Sequence, residues 1–289
     1  MEATTFFESA RGLQLSSVAW LVDHHVTKAE ERRRMVEDLD LSSTDLMLDS
    51  ACGPGLWSRM FAEEVSPGGK VVALDFSPDL LDHATASLED DPLAGAIDFV
   101  LGDFQHLPFR PASFDAVFIG NSFCYFGDIA TLLEGHKRVT RTGGRVISKE
   151  FDGATVIFHP LDPCLTLRVV TAAAHALEQE SADSRFDNFV GRKMQGMFVR
   201  AGFRDVRTRT YAIQKVAPLS SEAKRYLAGN AGWYGRLAAP HVSPEDAERW
   251  ERAFDPSAEE YILDREDFYF CMLETVTVGT VDRREDATG

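Results

Sequence analysis

The sequence predicts an α/β fold built on a doubly wound, mostly parallel sheet, and three observations predict it. Apolar strand-like runs alternate with helical patterns, which implies parallel strands joined by crossover helices. One run, Leu46-Met47-Leu48-Asp49, breaks into a Gly-rich turn, Ala51-Cys52-Gly53-Pro54-Gly55, ahead of a helical stretch from Leu56. The next run, Lys70-Val71-Val72-Ala73-Leu74, ends in an acid, Asp75, 22 residues beyond Gly53.

Each element has its own reason. Apolar residues before a Gly turn read as a buried parallel strand, and glycines there let a ligand approach the backbone closely. An acid about 20 residues on suits the two hydroxyls of a ribose, because a carboxylate accepts both hydrogen bonds. Gly53-Pro54-Gly55-Leu56-Trp57-Ser58 has Ser58 where a dinucleotide fingerprint has its third small residue, so that fingerprint is incomplete. Thr27-Lys28-Ala29-Glu30 has the spacing of a capping box before a helix over Glu31–Leu39, and Ser77-Pro78 predicts a capped helix after the second strand. Ile97–Leu101 leads into Gly102-Asp103-Phe104, Ser113–Gly120 is a strand with a polar end at Asn121, and Gly143-Gly144 precedes a fifth strand ending at Glu150.

These four ordered motifs, spread over residues 45–150, resemble the class I S-adenosylmethionine-dependent methyltransferases, in a small-molecule style similar to the ubiquinone and menaquinone C-methyltransferases. The resemblance covers about a third of the chain. It implies a Rossmann-like, seven-stranded, mostly parallel sheet with the last strand antiparallel, S-adenosylmethionine as cofactor, and a helical substrate cap. Asp49 and the backbone of Ala51, Gly53 and Gly55 would hold the cofactor's amino-acid end, Ala51 standing where the family usually has Gly. Asp75 would take the ribose hydroxyls, with Phe76 on the adenine. Gly102 and Asp103 would meet the adenine amino group, with Phe104 beside it, and Asn121 would line the methyl-transfer end.

The 289 residues suit one domain: a core of approximately 36–157, 190–217 and 266–282, with a cap of approximately 1–35, 158–189 and 218–265. Met1–His25 reads as helical, Val206–Val216 and Phe268–Thr280 as the closing strands, and Asp282–Gly289 as a polar, frayed tail. Apolar and aromatic residues in the cap segments, Leu165–Leu177, Trp233-Tyr234 and Trp250 among them, suit a medium-sized, partly apolar acceptor.

A net charge of −16 repels nucleic-acid and anionic-membrane surfaces. No stretch has 18 continuous apolar residues, and the N-terminus has no basic segment of the signal-peptide kind. Cys52, Cys124, Cys164 and Cys271 form no C-x-x-C pair, which argues against zinc and suits a reducing cytoplasm. Methyl transfer asks mainly for orientation and water exclusion. Phe6, Phe7 and Tyr125 are candidate aromatic faces for a sulfonium. O- or N-methylation also needs a proton acceptor. His25 of the His24-His25 pair is one candidate, Glu150 another, and His159, His175 and His241 lie in the cap segments. Two other classes stay open: a protein of this fold running cyclisation or isomerisation, and a nicotinamide-dependent oxidoreductase. The acceptor atom and the oligomeric state are not legible.

Overall fold

β-Branched and aliphatic runs bounded by Gly, Pro and Asp set the strands, and amphipathic stretches between them set the helices. The structure is a computed structural model that describes residues 6–8, 14–179 and 186–282. In chain order its elements are β1 (Phe6–Glu8), β2 (Gln14–Ser16), α1 (Val18–Thr27), α2 (Ala29–Glu37), β3 (Leu46–Ser50), α3 (Leu56–Val65), β4 (Lys70–Asp75), α4 (Pro78–Ser87), β5 (Ile97–Leu101), β6 (Phe114–Gly120), α5 (Ile129–Val139), β7 (Thr140–His159), α6 (Pro163–Gln179), α7 (Met194–Arg200), β8 (Arg204–Val216), α8 (Ser221–Ala238), α9 (Pro244–Phe254) and β9 (Tyr269–Thr280).

Seven strands form one sheet in the order β5-β4-β3-β6-β7-β9-β8. β5, β4, β3, β6 and β7 pair in parallel. β9 runs against its neighbours: Gly143 N donates to Val281 O, Val281 N to Gly144 O, and Ala217 N to Phe268 O. The doubly wound sheet with an antiparallel last strand is therefore as the sequence predicts. The order reverses between β3 and β6, and ligands of such sheets bind at that reversal, beyond the carboxyl ends of the strands.

Four local expectations change. The N-terminal segment is not wholly helical, because β1 and β2 pair antiparallel before α1 begins. The Thr27 capping box does not form. Thr27 is the last residue of α1 and Lys28 its C-cap, so α2 follows after a single-residue break. β7 runs for 20 residues, which puts Glu150 in mid-strand rather than at its end, and Gly143-Gly144 lies inside that strand. Residues 283–289 of the expected frayed tail lie outside the described residues.

The chain divides into two compact units, and β7, β8 and β9 each contribute to both. The first comprises residues 1–31, 152–189 and 211–274. Here Phe158 packs edge-on against Trp250 and Phe254 and tilted against Phe270, with ring centroids 5.0–5.9 Å apart. The Arg168 guanidinium forks onto Asp246 and that of Arg225 onto Asp23. Lys28 and Glu274, both almost wholly buried, meet at 2.7 Å.

The second unit comprises residues 32–151, 190–210 and 275–289. Met47, Leu48, Val71, Ala73, Val117, Ile119, Val146 and Ile147 are buried on the central strands, the near-continuous apolar pattern of a sheet covered on both faces. α4 begins as its sequence predicts: Ser77 Oγ accepts from Leu80 N, and Pro78 opens the first turn. Among the described residues no helix is long and apolar enough to cross a membrane.

Candidate cofactor site

β3 ends at Asp49-Ser50 and the chain turns through three left-handed residues: Ala51 (φ 60°), Gly53 (φ 55°) and Gly55 (φ 72°). A Cβ on Gly55 would lie 3.1 Å from the Phe99 ring and 3.2 Å from Ala84, so glycine there allows α3 to pack closely on the sheet. A Cβ on Gly53 would meet nothing within 4 Å. That glycine answers to backbone conformation and to whatever approaches from outside the chain. Ala51, by contrast, holds a conformation that L-residues adopt at a cost of roughly 1–2 kcal/mol.

Two carboxylates brace the turn. Asp75, at the end of β4, accepts from Gly53 N through Oδ2 and from Ser77 N through Oδ1, both at 2.9 Å. Asp49 accepts from the Ser58 hydroxyl at 2.6 Å. Burial pushes the Asp49 carboxyl from 3.8 up to about 7, and the neighbouring Asp75 adds to that rise. Burial also raises Asp75, partly offset by its backbone donors. Two buried acids beside a helix N-terminus suit a cation or hydroxyl donors. Burial, and then the charges of the same two acids, hold the Cys52 thiol well above its usual range.

At the end of β5, Gly102 N donates to Asp75 O. Asp103 caps a short 3₁₀ turn, accepting from Gln105 N at 2.9 Å, with His106 Nδ1 at 3.3 Å. Phe104 is buried edge-on against Phe126, while Phe76 is half-buried after β4. Asn121, left-handed at φ 51°, follows β6, and its Oδ1 accepts from Lys149 Nζ at 3.0 Å.

The proposed proton acceptors are differently placed. Glu150 is fully buried, and its Oε1 accepts from Ser122 N and Phe123 N at 3.1 Å each. That carboxylate braces the loop after β6. Tyr125 lies half-buried at the end of that loop. In the first unit His24 is buried and His25 half-buried, whereas His159, His175 and His241 are exposed. The side chains of Phe6 and Phe7 lie outside what the structure describes.

Three buried polar residues of the second unit escaped the sequence reading. Lys149 is fully buried. Arg32 is buried with its guanidinium carbon 4.8 Å from the Trp57 ring, in the first turn of α3. His136 of α5 is fully buried, its Nε2 3.0 Å from Ser50 Oγ and Nδ1 2.6 Å from Leu132 O. A carbonyl can only accept, so Nδ1 carries the proton and Nε2 accepts from Ser50. Burial lowers its pKa from 6.5 to about 4. None had a local sequence signal that separates a buried polar residue from an exposed one.

An open left-handed Gly53, paired buried acids and a helix N-terminus at the sheet reversal suit a cofactor with an amino-acid end and a ribose. That is the arrangement a class I S-adenosylmethionine-dependent methyltransferase would use, and comparisons with known proteins bear the class out. Residues 48–148 match a family model described as a methyltransferase domain. The chain is 31% identical over 191 residues to the demethylmenaquinone methyltransferase of Oceanobacillus iheyensis, covering 62% of this chain and 78% of that protein. It is 34% identical over 143 residues to the enzyme of the same name from Lactococcus lactis, covering 50% of this chain and spanning only about half, 55%, of that relative. A crystal structure of a candidate methyltransferase from Bacillus halodurans has the same fold, with a TM-score of 0.56 and 17% identity over 87% of this chain and 99% of that one. The chain belongs to the S-adenosylmethionine-dependent methyltransferases, and its cofactor is S-adenosylmethionine.

Proposed function

We propose that the protein transfers the methyl group of S-adenosylmethionine to a small, largely apolar acceptor of the quinol type. The brace of Asp49 and Asp75 around the open Gly53 turn carries the cofactor half of this reading. The acceptor half is supported by the two relatives named for demethylmenaquinone. In this reading the ionised Asp49 faces the cofactor's ammonium, and backbone groups of Ala51, Gly53 and Gly55 hold its amino-acid end. Arg32, buried against the Trp57 ring, is a candidate cation for its carboxylate. Asp75 binds the ribose hydroxyls while keeping the turn in place, Phe76 packs on the adenine, and Gly102, Asp103 and Phe104 flank its amino edge.

When bound, the cofactor supplies an activated methyl group on a sulfonium. The chain's residues then orient, desolvate and move a proton. Lys149 holds the Asn121 carbonyl oxygen, which leaves the Asn121 amide N–H₂ as the donor at the methyl-transfer end. Tyr125 offers a ring face there. His25 remains a candidate proton acceptor. Glu150 serves better as a brace, since Oε1 already takes two amides. A strongly acidic chain favours a small-molecule partner over nucleic acid or an anionic membrane, and free thiols suit the cytoplasm.

The test is incubation with methyl-labelled S-adenosylmethionine and reduced demethylmenaquinone. Label recovered in a methylated ring supports the reading. Tight S-adenosylhomocysteine binding with no label transferred to the quinol would overturn the acceptor half and leave the cofactor half standing.

A further inference from the structure

Within the second unit, β3 and β6 lie side by side with Ser50 level with Ile119, and the strand order reverses between them. Asn121 therefore leaves the sheet beside the Ala51–Gly53 turn, where a doubly wound sheet receives its ligand. Two consecutive residues of β7 hold the loop that Asn121 opens. Side chains alternate along a strand. Lys149 pairs with Gly120 and shares its face. That is the face of Trp57, since a Cβ on Gly120 would lie 3.6 Å from Trp57 Nε1. Glu150 takes the opposite face, yet both side chains end on the same loop. Lys149 Nζ donates to Asn121 Oδ1 at 3.0 Å, and Asn121 N donates to Lys149 O at 2.8 Å. Glu150 Oε1 accepts from Ser122 N and Phe123 N. Lys149 and Glu150 are both fully buried. A clamp closing from two sides fixes Asn121 in its left-handed conformation, φ 51°, which Asn tolerates better than most residues.

The clamp also decides which end of the Asn121 amide is on offer. An ammonium only donates, so the atom beside Lys149 Nζ is the carbonyl oxygen and the other is the N–H₂ group. Asn121 is half-buried, and its Nδ2 has no hydrogen-bond partner among the described residues. A cation bonded to the carbonyl end polarises the amide and strengthens its N–H as a donor. The neighbouring carboxylates are engaged, Glu150 by two amides and Asp49 by the Ser58 hydroxyl. A fixed donor with a buried cation behind it favours an anionic oxygen and disfavours an amine.

We propose that Asn121 is the specificity-determining donor of this site and selects a methyl acceptor that presents an ionised ring oxygen, a phenolate, with Lys149 and Glu150 as positioning residues. The ring enters ionised, its proton left to water. The inference deepens the methyl-acceptor reading and rests on Asn121 lining the methyl-transfer end.

The experiment uses the full chain saturated with S-adenosylhomocysteine, whose thioether has no sulfonium charge to attract an anion. The probe is 4-nitrophenol, whose ionisation is read by absorbance, and the control is 4-nitroanisole, which cannot ionise. Wild type is expected to bind the phenolate at least about tenfold more tightly than the anisole, the worth of one charge-assisted hydrogen bond. Bound 4-nitrophenol should also be more ionised than the free probe at the same pH. Asn121→Asp keeps the bond to Lys149 and the left-handed turn but replaces the donor with an acceptor, and it is expected to abolish both effects. Lys149→Met is expected to reduce them, and an unchanged preference there would remove Lys149 from its positioning role. No binding of 4-nitrophenol by wild type, equal affinity for the two probes, or a preference unchanged in Asn121→Asp overturns the proposal, and the first two outcomes need no variant to fold. The preference in a protein that methylates no quinol would uphold the donor while refuting the quinol reading. Methylation of the quinol by a wild type without the preference would do the reverse.

Discussion

Ala51 is the residue whose sequence and conformation disagree most directly. Its φ of 60° is what a glycine would take without cost. Ala51→Gly is expected to stabilise the fold by about 1 kcal/mol, the relief of left-handed strain less the added freedom of the unfolded chain, and calorimetry should find a higher Tm. Asp49 makes a pH prediction. Its carboxyl titrates near 7 in the free protein, and a cationic ammonium binds its ionised form. Affinity for S-adenosylhomocysteine should therefore rise as pH approaches 7 and level off above, falling by about tenfold per unit below that value. Titration calorimetry at pH 5.5, 6.5 and 7.5 measures this, and a flat profile would remove Asp49 from the ammonium. Asp75→Ala should weaken the same binding by at least about tenfold, because a buried acceptor for two donors is lost; unchanged affinity would end its ribose assignment. Asp49 and Asp75 were legible because strand-ending acids around a Gly turn have a fixed spacing. Arg32 and Lys149 were not, because nothing local distinguishes a buried cation from a surface one.

Between elements, the contact of greatest consequence is His136 on α5 with Ser50 on β3. The folded state keeps this imidazole neutral while the unfolded chain protonates it near 6.5. Below that value the unfolded state binds the extra proton, so this group's contribution is intact above about pH 6.5. It is lost progressively as pH falls towards 4, by about 3 kcal/mol in all. His136→Gln should therefore show a shallower loss of Tm than wild type between pH 7 and pH 5, and equal slopes would refute the neutral assignment. Strands β3 to β6 and helix α4 were legible from apolar runs and the Ser77-Pro78 cap. The α1–α2 junction was misread, since Thr27 has capping-box spacing but sits inside a helical run whose burial favours continuing. The length of β7 was hidden by Gly143-Gly144, which reads as a turn and is strand because the carboxyl end of β9 pairs with it.

For the whole molecule, ligand linkage gives the simplest check. S-adenosylhomocysteine at 100 times its Kd should stabilise the native state by about 2.7 kcal/mol, seen as a higher Tm, with no matching rise from NADH. Lys28→Met, which removes the buried cation 2.7 Å from Glu274, should cost about 3–5 kcal/mol, whereas replacing the exposed partner in Lys70–Asp98 should change Tm little. The fold class was legible because sheet alternation extends along much of the chain. The helical segments of the first unit showed their apolar content but not their pairing, since which helix meets which depends on contacts distant in sequence. Trp20 and Tyr226 are neighbours across 206 positions.

Asp75 carries one more consequence. Its two oxygens fasten Gly53, at the start of one loop, and Ser77, which caps the helix after another. The two loops thus hang from a single peg. A designer seeking to change what this pocket accepts by editing position 75 would release both at once, so a working substitute must arrive together with new anchors for Gly53 and Ser77.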